Sequence, residues 1–339
     1  MKHLLLTLIA IFTFTQIFSQ TDSARFYFKK GTDEQTAKRY LLSSKYFDKA
    51  IQFDPKYADA YIENGRVNIE MRKIFVAQSN FEKAYQLQSD NQVTIQELAS
   101  LYFNNRQFQK AIDLSQKCKS CPDAERIMAM SCYQIEDYVK AISGLEKVLT
   151  KNPNDAEATY TLGRSYLELE DFKNAIKQYQ KALVLDPTKS VWMYELALQL
   201  YNSNDFPNAK KYFVMAGDAG YPKSNDFYEN LGFAYINTGE IDNGLKNLTN
   251  VLSRKPNNKE LLNDIAQALY NAKHFEEALG FYQKLLELNA KDANSLYMAG
   301  ITFQKIGQKE RGVAMCDEAI KIDPALAKNR QKKGDQFGL

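Results

Sequence analysis

The sequence predicts an all-α chain made of one helix pair repeated end to end. Three observations carry this. Glycine and proline, 15 and 8 of the 339 residues, fall well below their usual joint share of about 12%, which disfavours a fold of many tight β turns. Similar segments return at a fixed interval: FDKAIQFDP ends at Pro55, LEKVLTKNP at Pro153, YQKALVLDP at Pro187 and CDEAIKIDP at Pro324. Pro153 and Pro187 lie 34 residues apart, a period that marks stacked supersecondary units. Finally, small residues recur in two columns of that period, where two helices need room to cross.

The first element is an address. Residues 1–19 open with Lys2 and continue through an apolar run broken only by Thr7 and Thr13 as far as Phe14, with apolar character out to Phe18. The run is shorter than the ~20 residues of a spanning helix. It reads as a secretory signal peptide cut after Ser19; Ile17 is an unusual residue before the cut, and an uncleaved anchor is the alternative. No cysteine follows, so a lipoprotein anchor is not expected. The expected location is periplasmic or secreted, with no direct membrane insertion once the leader is removed.

Nine windows follow: 24–57, 58–91, 92–121, 122–155, 156–189, 190–224, 225–258, 259–292 and 293–326. The third is four residues short and the sixth one long. The eighth place holds Gly31, Gly65, Ala99, Ala129, Gly163, Ala197, Gly232, Ala266 and Gly300. The twentieth holds Ser43, Ala77, Ala111, Ala141, Ala175, Ala209, Gly244, Ala278 and Gly312. Large residues fill the remaining gaps: Leu162, Tyr166, Phe172 and Tyr179 recur as Leu231, Tyr235, Ile241 and Leu248. Within each helix the apolar spacing follows a buried stripe. All eight prolines fall at boundaries, since proline ends a helix or opens its first turn. Residues 327–339 read as a short capping helix and a tail, its bases favouring the negative end of the last helix.

The pattern resembles the tetratricopeptide repeat family, on Leu162, Gly163 and Tyr166, on Leu231, Gly232 and Tyr235, and on the alanine, aromatic, alanine and proline that follow. The family's opening tryptophan is absent, and Trp192, one place early, reads as packing between neighbours. The third and fourth repeats are the most degenerate. The resemblance implies a right-handed superhelical solenoid of antiparallel helix pairs, one continuous array whose stability spreads from repeat to repeat.

It also implies that the first helix of each pair lines a concave groove for an extended peptide or a partner helix. Helical geometry then turns Tyr160, Arg164, Tyr194, Tyr201, Phe233, Tyr270 and Tyr297 inward. Aromatics with a polar tip suit protein recognition, although several at this spacing pack against the adjoining helix instead. Asn104, Asn202, Asn237 and Asn271 share one place near the end of the first helix. There asparagine either grips a peptide through its carbonyl and amide or caps the helix in a left-handed turn, which is where such caps belong. Asp59, Glu63, Glu70, Glu195, Asp226, Glu229, Glu260 and Asp264 outnumber the groove's bases. The lysine and asparagine clamp that relatives use on a C-terminal carboxylate is missing. The expected partner segment is basic or polar.

Catalysis finds little support. Only two histidines occur, one of them His3, and no glycine-rich phosphate loop, G-x-S-x-G or H-E-x-x-H is present. His274 reads as a turn residue. Neither a cofactor nor a metal site is expected. The net charge of +3 offers no excess to hold a nucleic-acid backbone. Cys118 and Cys121 form a C-x-x-C pair at the shortened third repeat; outside a βαβ unit the pair reads as a structural disulfide, with Cys132 a competing partner and Cys316 distant. The leading function is a non-catalytic interaction scaffold of the cell envelope. The alternatives are a thiol–disulfide protein using Cys118 and Cys121, or a carbohydrate-handling helical protein, for which the near-constant windows leave no room.

Overall fold

The computed structural model describes residues 21–328. The expected leader, 1–19, and the tail beyond 328 lie outside the described residues. Among those residues the chain is helical and carries no strand. It divides into two compact units at Gln178/Tyr179.

The first unit contains α1 (residues 21–36), α2 (Tyr40–Phe53), α3 (Ala58–Glu70), α4 (Ile74–Leu87) and α5 (Gln92–Asn104). It continues with α6 (Phe108–Lys117), α7 (Ala124–Gln134), α8 (Tyr138–Lys151), α9 (Ala156–Glu168) and the start of α10 (Phe172–Leu185). The second unit contains α11 (Ser190–Asn202), α12 (Phe206–Asp218), α13 (Asn225–Asn237) and α14 (Ile241–Arg254). It ends with α15 (Lys259–Asn271), α16 (Phe275–Leu288), α17 (Ala293–Lys305), α18 (Lys309–Ile322) and a 3-10 turn at Pro324–Leu326.

One turn makes the helices pair. In the first unit Lys38, Arg72, Arg106, Glu136 and Glu170 have positive φ; in the second, Asn204, Gly239, Lys273 and Gly307 do. Each occupies the same place in its window. The turn closes by two backbone bonds, as where Arg106 N–H donates to Phe103 O at 3.0 Å and Gln107 N–H to Tyr102 O at 2.7 Å. Gly239 to Ile236 at 3.0 Å and Glu240 to Tyr235 at 2.9 Å repeat the arrangement. These bonds satisfy the last carbonyls of the first helix and reverse the chain into the second. Side-chain caps then start several helices: Asp155 accepts from Ala158 N–H, and Asp205 from Asn208 N–H.

Every member of both small-residue columns is buried. Ser43 Oγ donates to Gly31 O at 2.8 Å across the first pair. A Cβ on Gly232 would lie 2.6 Å from Leu248 Cγ and 3.1 Å from Gly244 O, so these helices touch through bare backbone. The gaps four places beyond the second column are filled by fully buried Phe47, Phe81, Leu145, Phe213, Leu248 and Tyr282. Phe172, expected to fill a gap, is instead 47% exposed at the outer start of α10.

The third repeat departs from this scheme. Helix α6 has 10 residues where the other second helices have 13 or 14. Ser115 takes the gap-filling place. After α6 the chain is closed by a disulfide between Cys118 and Cys121, with Cα atoms 5.7 Å apart. The Gln92 side chain accepts from Lys119 N–H within that segment.

Candidate functional site

The predicted groove residues separate into two groups. Tyr201 and Asn202 at the end of α11, Phe233 and Asn237 on α13, and Asn271 on α15 line one depression of about 500 Å³ in the second unit. Asp264, Gln267 and Ala268 on α15 complete it, with Asn204 from the turn after α11 and Phe206 at the start of α12. The site thus lies where the C-terminal halves of three successive first helices meet. Tyr270, half-buried on α15, rests on Phe275 with ring centroids 5.4 Å apart.

Its polar geometry is a chain of amides and a phenol. Asn237 Nδ2 donates to the Tyr201 hydroxyl at 3.0 Å and to Phe233 O at 2.9 Å. Gln267 Nε2 donates to Asn271 Oδ1 at 3.0 Å. The Asn237 carbonyl oxygen and the Asn271 amide nitrogen therefore remain as an acceptor and a donor. Tyr201 packs edge-on against Phe206, 5.1 Å between centroids, and burial raises its phenol against the opposing bond from Asn237. Glu229 is not part of the lining; on the N-terminal half of α13 its carboxyl is raised by burial, and the like charges of Asp226, Asp264 and Glu260 add to the rise.

The asparagine column does not supply the left-handed caps. Asn104, Asn202, Asn237 and Asn271 are the last residues of their helices, and the positive φ falls two places later, at Arg106, Asn204, Gly239 and Lys273. Asparagine is spared for other partners because the turn's backbone already satisfies the helix end.

The second group is not gathered here. Tyr194 is 8% exposed: its ring stacks on Tyr221 at 4.1 Å, and its hydroxyl accepts from Asn230 Nδ2 at 2.7 Å. Tyr297 is buried as well, its carbonyl accepting from the Cys316 thiol. Both were expected on the open face, and both are core. Tyr160 and Arg164 belong to the first unit, half-buried on α9, with the Arg164 guanidinium 5.5 Å above the Tyr133 ring. Sequence reasoning missed Asn204, Phe206 and Gln267; Gln267 sits one turn before Asn271, a spacing that would have revealed it.

Elsewhere, Cys118 and Cys121 border a cavity of about 400 Å³ with Ser115, Gln116 and Lys151. Cys132 and Cys316 are buried and form no disulfide. Burial and Asp137 push the Cys132 thiol up, Lys140 only partly opposing them, which leaves it a poor nucleophile. His274 Nδ1 lies 3.5 Å from Glu277 Oε1 in the turn before α16. Among the described residues no group of three or more His, Cys, Asp or Glu is placed to hold a metal ion, and no helix is long and apolar enough to cross a membrane.

Comparison with known proteins bears on the repeat itself. Tetratricopeptide repeat models match residues 156–189, 235–300 and 293–326, and the model for anaphase-promoting complex, cyclosome, subunit 3 matches 73–148. Protein CTR9 homolog of Arabidopsis thaliana is 22% identical over 307 residues, 86% of this chain and 28% of that protein. The chain therefore spans little more than a quarter of that relative. The C-terminal part of a TPR repeat-containing protein from Cytophaga hutchinsonii aligns with a TM-score of 0.46 at 22% identity, covering 67% of this chain and 95% of that one. YrrB, described as a TPR protein with an unusual peptide-binding site, aligns at 0.42 and 24%, covering 56% and 97%. Proteins of this kind are in general scaffolds for protein–protein interaction. With tetratricopeptide repeat models matching at residues 156–189, 235–300 and 293–326 and the subunit 3 model at 73–148, the chain belongs to the tetratricopeptide repeat family.

Proposed function

We propose that the chain is a non-catalytic scaffold, exported from the cytoplasm, that holds an extended segment of a partner protein in the depression of its second unit. The observation that carries this reading is the convergence of Tyr201, Asn202, Phe233, Asn237 and Asn271 on one site. An extended peptide offers alternating N–H and C=O groups, which suit the remaining Asn237 oxygen and Asn271 nitrogen. Tyr201 and Phe233 offer aromatic surface at low entropic cost. Asp264 in the lining, which shares like-charge repulsion with Glu229, favours a basic residue in the segment, because a cation there relieves that repulsion. The Cys118–Cys121 bond supports an oxidising compartment.

The test is a photoreactive residue at Asn202, with a second at Val184, 82% exposed on α10, as control. Cross-linking in intact cells should capture a partner from position 202 and not from 184. Asn237→Ala with Asn271→Ala should weaken capture at least about tenfold and leave the melting curve unchanged. Equal capture from both positions, or capture indifferent to the asparagines, overturns the reading.

A further inference from the structure

The turns of the first unit carry a feature the groove does not use. Where α1 passes into α2 the chain reads Lys38-Arg39-Tyr40-Leu41-Leu42, and where α3 passes into α4 it reads Arg72-Lys73-Ile74-Phe75-Val76. The third turn keeps the bases, Arg106 and Lys110, around Phe108. The middle residues turn inward and are half-buried. The next two point out: Phe75 is 85% exposed, Leu41 60%, Val76 47% and Leu42 38%. Among the described residues Arg39 is ion-paired, to Glu34, whereas Lys38, Arg72, Lys73 and Lys110 have no carboxylate within 4.0 Å.

Single exposed apolar residues need no explanation. These recur at the same place in successive repeats, beside paired bases, and successive helix pairs stack. Their turns therefore form one edge, on which apolar tips alternate with cations. The tips are exposed and stand beside cations, a pairing that suits an anionic apolar boundary. Side chains of this kind enter the boundary of a bilayer while flanking lysine and arginine meet anionic headgroups.

We propose that this edge docks the first unit on an anionic lipid surface, with Phe75, Val76, Leu41 and Leu42 entering the headgroup boundary and Lys38, Arg72, Lys73 and Arg106 meeting the lipid charge. The docking is peripheral and independent of the second unit's depression.

The experiment places a reporter on the edge. Phe75→Trp puts an indole at an exposed position, and the chain's own Trp192 is buried in the second unit as an internal reference. With vesicles of phosphatidylcholine and phosphatidylglycerol, the introduced indole should shift to the blue and be quenched by brominated acyl chains, while Trp192 stays unquenched in the parent protein. Vesicles of phosphatidylcholine alone should give neither effect. Adding Arg72→Gln, Lys73→Gln and Arg106→Gln should raise the lipid concentration required by roughly a hundredfold. An indole that stays unquenched with anionic vesicles overturns the proposal, as does equal quenching in neutral ones. Were the indole silent while a photoreactive residue at position 75 captured a protein in cells, the edge would belong to an acidic protein partner, and the membrane assignment would fail.

Discussion

The two units share their interior and differ in what they present. Both use the same small columns, the same buried gap fillers and the same left-handed turn. Yet three second helices of the first unit carry exposed apolar residues just after their first, Leu41-Leu42, Phe75-Val76 and Val139, although α6 has Gln109-Lys110 there. Those of the second unit have Pro207-Asn208, Asp242-Asn243, Glu276-Glu277 and Glu310-Arg311, all exposed. The first unit also contains the shortened α6 and its disulfide; the second contains the amide-lined depression. A repeat must satisfy its neighbours only on inward places, so outward places are free to differ from unit to unit. That freedom lets one fold carry two dissimilar surfaces.

The largest expected effect sharpens the division between core and surface inside the second unit. Tyr194→Ala removes a ring held by Tyr221, Phe213 and Phe227 and should cost about 3–5 kcal/mol, as large aromatic truncations in cores do. Tyr201→Ala should cost far less. Equal losses in thermal unfolding would place both tyrosines in the core.

Next comes the disulfide. Cys118→Ser with Cys121→Ser opens a very short loop in the first unit and should cost about 2 kcal/mol by the chain-entropy relation. Circular dichroism should record the loss, while Trp192 fluorescence, which reports the second unit, keeps its midpoint. A matching shift in both signals would mean that the units unfold as one.

The left-handed turns give a smaller and opposite pair. Glu170→Gly relieves a non-glycine residue at φ 59° and should stabilise the first unit by about 1 kcal/mol. Gly239→Ala, at φ 82° with nothing within 4 Å of the added carbon, should destabilise the second by a similar amount. Since no contact changes at Gly239, a null result there would rule out backbone conformation as the cause.

Acid titration gives the smallest difference. Burial would raise Asp155, but the Arg126 guanidinium, 2.7 Å away, and Ala158 N–H hold it below the usual range. Its contribution is present above the ordinary carboxylate pKa and is lost as pH falls through the lowered value. Glu229 is raised, so its contribution is present in acid and is lost as pH rises through its own value. Melting curves from about pH 3 to about pH 7 should show Asp155→Asn weakening the protein only at the upper end. Glu229→Gln should strengthen it at that same end. Reversal of either sign would break the assignment.

Much of this was legible in the residues. Gly232 with Gly244 and Gly300 with Gly312 announce helices that touch, since no other residue allows the backbones so close. Cys118 and Cys121, four residues short of a full window, announce a closed loop. The candidate site was half legible: asparagines one period apart had to stand side by side once the repeats stacked. The turns were less so, because seven of the nine left-handed places hold residues other than glycine, and the hydrogen bonds that enforce them are purely backbone.

What the sequence determined by itself was therefore the periodic part: helices, pairing, inward columns and the closed third repeat. Each follows from side-chain size and spacing along the chain. The tertiary structure decided which outward-facing residues stay open. Tyr194 and Tyr201 lie seven residues apart on one face of α11, and helical geometry treats them alike. Tyr221, from the loop after α12 in the one window that is a residue too long, folds over Tyr194 at 4.1 Å and leaves Tyr201 to Asn237. Burial at such a place is set by a neighbour distant in sequence, whose position no local period encodes.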